Sequence, residues 1–463
     1  MKEIKNILAG MIVVFLVILC TNLNPKFVFA NDGLISIQSI SVASEFPRGI
    51  HFKIKAIGDN EINKISVRLQ MNKRANTTYN YMEFDPSTVV EANLFWRTDT
   101  SVKYIPPGTV INYYFEIEDV SGSTLETDLK EFIYYDPRFT WTDISSGPVT
   151  VSYHGPVEKR AIIVLDAITQ TLGFMGPLLG ADTERSIRVT MYNNVKEMIE
   201  ALPPSSSTVR RELITQGQAF SGFDVLIVLG SGRAANGTAA HELIHILVDR
   251  AGGGRFSNIP SWLNEGLAEY GNVAPGYSYD IALEYAIHTD NMLPVTSLRV
   301  IPGDPEEAII FYGQSRSLVR FMVENLGPMN IKDLMATLQS GTNVNKAIEE
   351  IYGVSKLKLE NMWREWIGAP LLDHPEGGFA RPTPISLPTV SLYTLTPQPL
   401  SETITTVNED IEQDLNDVIS KKTSKVTGSG CNKSHDENSS GVDISLFMLI
   451  VGIMLFKARQ MNP

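Results

Sequence analysis

The chain has 463 residues, room for two or three domains, and an ordinary globular composition in which 43% of residues are hydrophobic and 20% charged. With 39 Lys and Arg against 52 Asp and Glu its net charge is −13, which offers no basic footprint for nucleic acid. The two cysteines, Cys20 and Cys431, stand far apart near opposite ends, so the body between them can hold neither a disulfide framework nor a thiolate for metal or catalysis.

Lys2 and Lys5, an apolar run over 7–20 and Val28-Phe29-Ala30 predict a secretory signal over 1–30, cut after Ala30. An uncleaved anchor helix is the alternative. Val17-Ile18-Leu19 lacks the small residue that a lipoprotein signal places before its cysteine, so no lipidation is expected at Cys20. From 31 to 155 the texture is β. Segments at 35–42, 51–57, 64–71, 89–96, 110–118, 130–135 and 149–153 are short and rich in β-branched and aromatic residues, with turn chemistry at 106–109 and 121–123. These strands predict an all-β immunoglobulin-like sandwich without the cysteine pair of antibody domains. Such a domain presents substrate, attaches to a surface, or merely spaces its neighbours.

From 156 to about 370 the pattern is mixed α and β. Helices are expected at 161–173 and 195–202, strands at 187–192 and 224–229, the last a buried apolar run. A glycine-rich turn at 230–232 then leads into a helix, with Asn236 or Thr238 as candidate cap. That helix carries His241-Glu242-Leu243-Ile244-His245. Side chains at i and i+4 lie above one another, so both imidazoles share one face and their ring nitrogens can converge on one Zn²⁺. Glu242 falls beside such a metal rather than on it, placed to take a proton from zinc-bound water. Such a string also arises by chance, but the residues downstream of His245 argue against chance.

Ala251-Gly252-Gly253-Gly254 ends the helix, and Pro260-Ser261-Trp262-Leu263-Asn264-Glu265-Gly266-Leu267-Ala268-Glu269-Tyr270 opens a second with two carboxylates at i and i+4. Glu265 is the candidate third ligand; Glu269, one turn on, is the candidate acceptor for the free ring N–H of a ligating histidine. Three protein ligands leave a fourth position open, the arrangement of a catalytic rather than a structural site. His-Glu-Leu-Ile-His followed by Trp-Leu-Asn-Glu-Gly-Leu-Ala-Glu-Tyr resembles the gluzincin zinc peptidases, a thermolysin-like α+β fold, and within them the peptidase-MA-like branch of exported bacterial proteins. The resemblance implies one Zn²⁺ per chain on His241, His245 and Glu265, with Glu242 as general base. The departures are nineteen residues between His245 and Glu265, where the better known aminopeptidases have eighteen, and the lack of a Gly-x-Met-Glu-Asn string. The extra residue falls in the glycine loop, where insertion costs little. In gluzincins an edge strand ahead of the active helix holds extended substrate; here 224–229 or its neighbour would serve.

Beyond Tyr270 helices are expected at 279–288, 306–326, 331–339, 344–352 and 356–366. Tyr312-Gly313-Gln314-Ser315 is similar to the Tyr-x-Gln-Ser stretch that follows the glutamate ligand in peptidase-MA-like proteins, which makes Tyr312 a candidate donor to a developing oxyanion. It is equally suited to a core aromatic role. His288, His51 and His154 receive no role. From 371 to 440 the chain is rich in Pro, Ser, Thr and acidic residues, the composition of a disordered stalk. The segment 441–463 carries an apolar run and a basic tail with Lys457 and Arg459, and resembles a C-terminal membrane or sorting segment, with Cys431 open to processing or lipid modification. Taken together, a surface-tethered zinc metallopeptidase at the extracellular face of the membrane, acting on peptide or protein substrates, is expected. The alternatives are a catalytically inactive binding or scaffolding protein with a gluzincin-like fold, and a zinc hydrolase of a non-protein amide.

Overall fold

The computed structural model describes residues 34–71, 78–100, 102–203, 216–231, 234–254, 259–275 and 278–373. The expected signal at 1–30 with Cys20, nearly all of the stalk, Cys431 and the segment at 441–463 lie outside the described residues.

The N-terminal region is a seven-stranded antiparallel sheet of β1 (Ile35–Glu45), β2 (Gly49–Met71), β3 (Thr78–Tyr81), β4 (Ser87–Arg97), β5 (Thr109–Asp119), β6 (Thr124–Glu126) and β7 (Lys130–Tyr134). The expected strands at 51–57 and 64–71 are one strand, the 23-residue β2. Its first half pairs with β1 and β4, its second with β3 and β5, and the register slips around Ile62. An irregularity of this kind bends a strand. At the bend a Cβ on Gly58 would sit 2.8 Å from the Asn60 carbonyl, so glycine is required there. Ile50, Phe52, Ile54 and Ala56 of the first half and Val67 and Leu69 of the second are all buried in one core. Phe52 meets Tyr113 of β5 edge-on at 5.7 Å, so the two halves of the sheet face each other. This departs from the expected immunoglobulin-like sandwich, whose two sheets are separate hydrogen-bonded systems: here β2 belongs to both layers.

The second sheet has five strands in the order β11-β12-β10-β9-β8, from β8 (Trp141–Ser146), β9 (Val149–His154), β10 (Ile187–Tyr192), β11 (Gly217–Phe220) and β12 (Val225–Leu229). β9, β10 and β12 are parallel, while β8 and β11 run antiparallel on the two edges. The strand at 149–153, grouped by its texture with the N-terminal strands, is interior to this sheet. Its alternating β-branched pattern fits either sheet, and the parallel pairing with β10 decides. β12 is buried at every position, as a parallel strand covered on both faces must be. Leu226 and Val228 pack toward the helices, whereas Ile227 and Leu229, pointing the other way, share a core with the N-terminal sheet.

The helices are α1 (Glu158–Leu179), α2 (Val195–Ala201), α3 (Ala235–Ala251), α4 (Ser261–Tyr270), α5 (Ser278–His288), α6 (Pro305–Glu324), α7 (Pro328–Gln339), α8 (Val344–Tyr352) and α9 (Lys356–Trp366). α1 is long and apolar enough to cross a bilayer, but half of that span is buried, and it packs against α3 as a core helix. α3 lies over β12 and β11. Arg250 near its end donates from Nε to Asp224, just ahead of β12, at 3.0 Å. α4 lies against α6 without an intervening side chain: a Cβ on Gly266 would sit 2.5 Å from the Ser315 carbonyl. α6 starts as its sequence dictates, with Asp304 accepting from the backbone N–H of Glu306 and Glu307 and Pro305 in the first turn.

Candidate metal centre

α3 carries the two histidines. It begins at Ala235 without a side-chain cap; Asn236 and Thr238, the expected candidates, lie inside its first turn. Its apolar face (Leu243, Ile244, Leu247 and Val248 among others) is fully buried and fixes the helix's rotation. That rotation turns His241 and His245 together toward α4, their rings edge-to-face with centroids 4.8 Å apart.

Glu265 of α4 completes the cluster. The Nε2 atoms of His241 and His245 are 3.1 Å apart, and Glu265 Oε2 lies 3.5 Å from the first and 3.6 Å from the second. A tetrahedral zinc bonded at about 2.0–2.1 Å holds neighbouring ligand atoms about 3.3 Å apart. The three atoms therefore already form one face of such a tetrahedron. Their side chains are 15%, 13% and 11% exposed, sheltered yet still reachable.

The outer nitrogens fix which atoms face inward. His245 Nδ1 lies 3.0 Å from Asn264 Oδ1, and His241 Nδ1 lies 2.8 Å from Glu269 Oε1, the latter approach being off the N–H axis. Each Nδ1 facing an acceptor carries its proton, so each Nε2 presents a lone pair to the other and to the Glu265 carboxylate. Burial pulls the His241 imidazolium down, but Glu265, Glu269 and Glu242 outweigh burial and lift its pKa to about 10. Glu265 shows the reciprocal effect, burial raising its pKa and the histidines together with Tyr312 lowering it to a net depression.

Glu269 is 3% exposed and has further partners. Asn272 Nδ2 donates to its Oε2 at 3.3 Å, while Asn272 Oδ1 accepts from the Ala274 N–H at 3.0 Å. The Tyr279 hydroxyl of α5 faces the same carboxylate. Tyr312 of α6 faces Glu265 and stacks on Tyr279 at 5.6 Å with an interplanar angle of 28°. Burial, then the neighbouring carboxylates, raises both phenol pKa values, so both hydroxyls remain donors. Gln314, in the same Tyr-x-Gln-Ser string, takes no part: it makes two 2.9 Å bonds to the backbone of Leu293.

Glu242 faces β11. A Cβ on Gly217 would come within 2.6 Å of Thr238 Cγ2 and 2.8 Å of Glu242 Cγ, so this strand crosses α3 in contact with that carboxylate arm. Of the two candidates for the edge strand, 224–229 is interior, flanked by β10 and β11. The edge is its neighbour β11, which among the described residues has a strand on one side only. His288 is exposed at the end of α5; His51 pairs with Glu45, and His154 with Glu197 and Asn193, all away from the cluster.

Asn264, Asn272, Tyr279 and Gly217 were not singled out from the sequence. Asn264 was within reach, since it directly precedes Glu265 on the same helix; Tyr279 was not, because nothing local ties α5 to Glu269.

Residues 167–369 match the family model of the Peptidase MA superfamily. The match runs from α1 to just past α9 and contains the whole cluster. No curated protein matches the chain. Among solved structures, the M1 zinc metallopeptidase from Deinococcus radiodurans is similar over 74% of this chain and 96% of its own, at 10% identity and a TM-score of 0.34. A substituted form of it bound to a Tyr-Ser-Ala substrate gives the same coverage at 13% identity and a TM-score of 0.30. These likenesses are too loose to assign residues.

Proposed function

We propose that this chain is a zinc-dependent peptidase whose metal is held by His241, His245 and Glu265. The observation that carries the reading is the convergence of three lone-pair atoms at 3.1, 3.5 and 3.6 Å, with His245 Nδ1 bonded to Asn264 and His241 Nδ1 2.8 Å from Glu269. Two nitrogens and one carboxylate make a donor set suited to zinc, and three protein ligands leave room for reacting groups. When bound, the ion supplies Lewis acidity at the scissile carbonyl and at water.

The chain's own residues do the rest. Glu242 adjoins His241 and is not drawn into the ligand triangle, so its carboxylate is available to take a proton from the attacking water and return it to the leaving amine. Tyr312, held as a donor next to Glu265, supplies the hydrogen bond that the developing oxyanion needs. Asn264 and Glu269 keep the two imidazoles in the tautomer that points Nε2 inward. An extended substrate lies along β11, adding a strand to the open edge through main-chain hydrogen bonds and bringing a peptide group past Glu242. Export and tethering by the C-terminal segment complete the reading and rest on the sequence.

The test is zinc content and cleavage of an unfolded protein by the purified chain and by Glu242→Gln. The expected outcome is one zinc in both and cleavage by the wild type, with turnover lower by about 10²–10⁴ in the variant. Equal cleavage by both would point to another active site. A zinc-loaded wild type that cleaves nothing would favour a binding role instead.

A further inference from the structure

Three helices meet at the outer side of the metal cluster, and one side chain bridges what they carry. α4 brings Glu265 and Glu269, α6 brings Tyr312, and α5 brings Tyr279 between them. The approach of α5 to α6 is unusually close because position 313 is glycine: a Cβ there would collide with the Tyr279 carbonyl. Three residues on, Arg316 Nη1 donates to Asp280 Oδ1 at 2.7 Å and clamps the same two helices. The Tyr279 backbone is thus pinned beside Tyr312, and the two rings stack. The Tyr279 hydroxyl is left to reach Glu269, whose other contacts are His241 and Asn272.

We propose that Tyr279 is a positioning residue serving both halves of the site. Its hydroxyl holds Glu269 against His241, and its ring holds Tyr312 over Glu265. It touches neither metal nor substrate and acts through the two residues it orients. Removing the hydroxyl frees one oxygen of a buried carboxylate to turn away from the imidazole, which loosens the metal. Removing the ring leaves Tyr312 without its stacking partner, which slows the chemistry. One residue therefore has two separable functions, and the two substitutions Tyr279→Phe and Tyr279→Leu separate them.

The inference rests on the zinc peptidase reading, and the experiment distinguishes failure of either. Zinc dissociation constants of the full chain are measured by chelator competition, the visible spectrum of the cobalt(II)-substituted protein reports ligand geometry, and kcat and KM are read at saturating zinc. Tyr279→Phe is expected to bind zinc about tenfold more weakly, at the low end of the loss that follows removal of a ligand's outer partner, with an altered cobalt spectrum and a kcat at saturating zinc above that of Tyr279→Leu. Tyr279→Leu should show the same loss of affinity and, in addition, a kcat lowered toward that of Tyr312→Phe with little change in KM. If the wild type binds zinc and Tyr279→Phe binds it equally well with an unchanged spectrum, the proposal is overturned while the metal site stands. If the wild type takes up no zinc, both fall. Because phenylalanine preserves the ring, the first variant keeps the test decisive even if leucine prevents folding.

Discussion

Gly217→Ala is the sharpest test of how substrate reaches the site. The added methyl would come to 2.6 Å from Thr238 Cγ2 and 2.8 Å from Glu242 Cγ, against a comfortable carbon–carbon separation of about 3.5–4.0 Å. Neither neighbour yields easily: Thr238 is β-branched and stiff on its helix, and the Glu242 contact is near the root of the side chain. α3 itself cannot retreat, since its opposite face is fully buried. β11, an edge strand held on one side, must therefore move outward by about 1 Å. Overpacking of this kind costs about 1–3 kcal/mol of stability. A displacement of about 1 Å between bound substrate and general base costs about 10²-fold in rate, or about 2.7 kcal/mol in the barrier at 1.36 kcal/mol per tenfold. The assay is kcat/KM on a quenched peptide alongside zinc content and Tm. The expected result is a full complement of zinc, a Tm lowered by a few degrees, and kcat/KM down by about two orders of magnitude. A variant with wild-type kcat/KM would refute the placement of substrate along β11, whatever its Tm.

Three further outcomes follow from the cluster's electrostatics and hydrogen bonds. With the His241 pKa raised to about 10 in the metal-free chain, zinc uptake near pH 7 must expel a proton, so apparent affinity should rise with pH by about tenfold per unit until about pH 10. The same raised pKa makes the imidazolium a stabilising feature of the metal-free fold, fully present below the ordinary histidine value of 6.5 and lost as pH climbs through about 10. Binding enthalpies measured in buffers of different ionisation enthalpy check the proton count, and buffer-independent values would contradict it. Asn264→Leu removes the acceptor that orients His245 and should weaken zinc about 10–100-fold while Glu242 and its contact with β11 stay in place. Unchanged affinity would mean that the His245 tautomer does not depend on Asn264.

The grouping of His241 with His245, and of Glu265 with Glu269, was legible because helical spacing by itself places i and i+4 side chains together, and because each half of the cluster lies within one short helix. The β texture of the N-terminal region was legible from β-branched and aromatic residues at short spacing, and so were the helices after Tyr270. The pairing of the strands was not. Gly58-Asp59-Asn60 reads as a turn, yet β2 continues through it because both of its halves find partners across the sheet. The strand at 149–153 reads like its predecessors, yet it pairs with β10 far along the chain.

What the sequence determined by itself is the chemistry available: two imidazoles, a neighbouring base and two carboxylates on helices whose periodicity sets their facing. What only the tertiary structure decided is the meeting of those helices. The 3.1–3.6 Å triangle depends on α3 and α4 being held together. The addition of Tyr312 and Tyr279 depends on glycines at 266 and 313 letting backbones touch. The choice of β11 as the open edge depends on pairing between segments distant in sequence. Local spacing constrains torsions within one element, whereas contacts between elements are selected by packing of the whole core, and no local pattern encodes them.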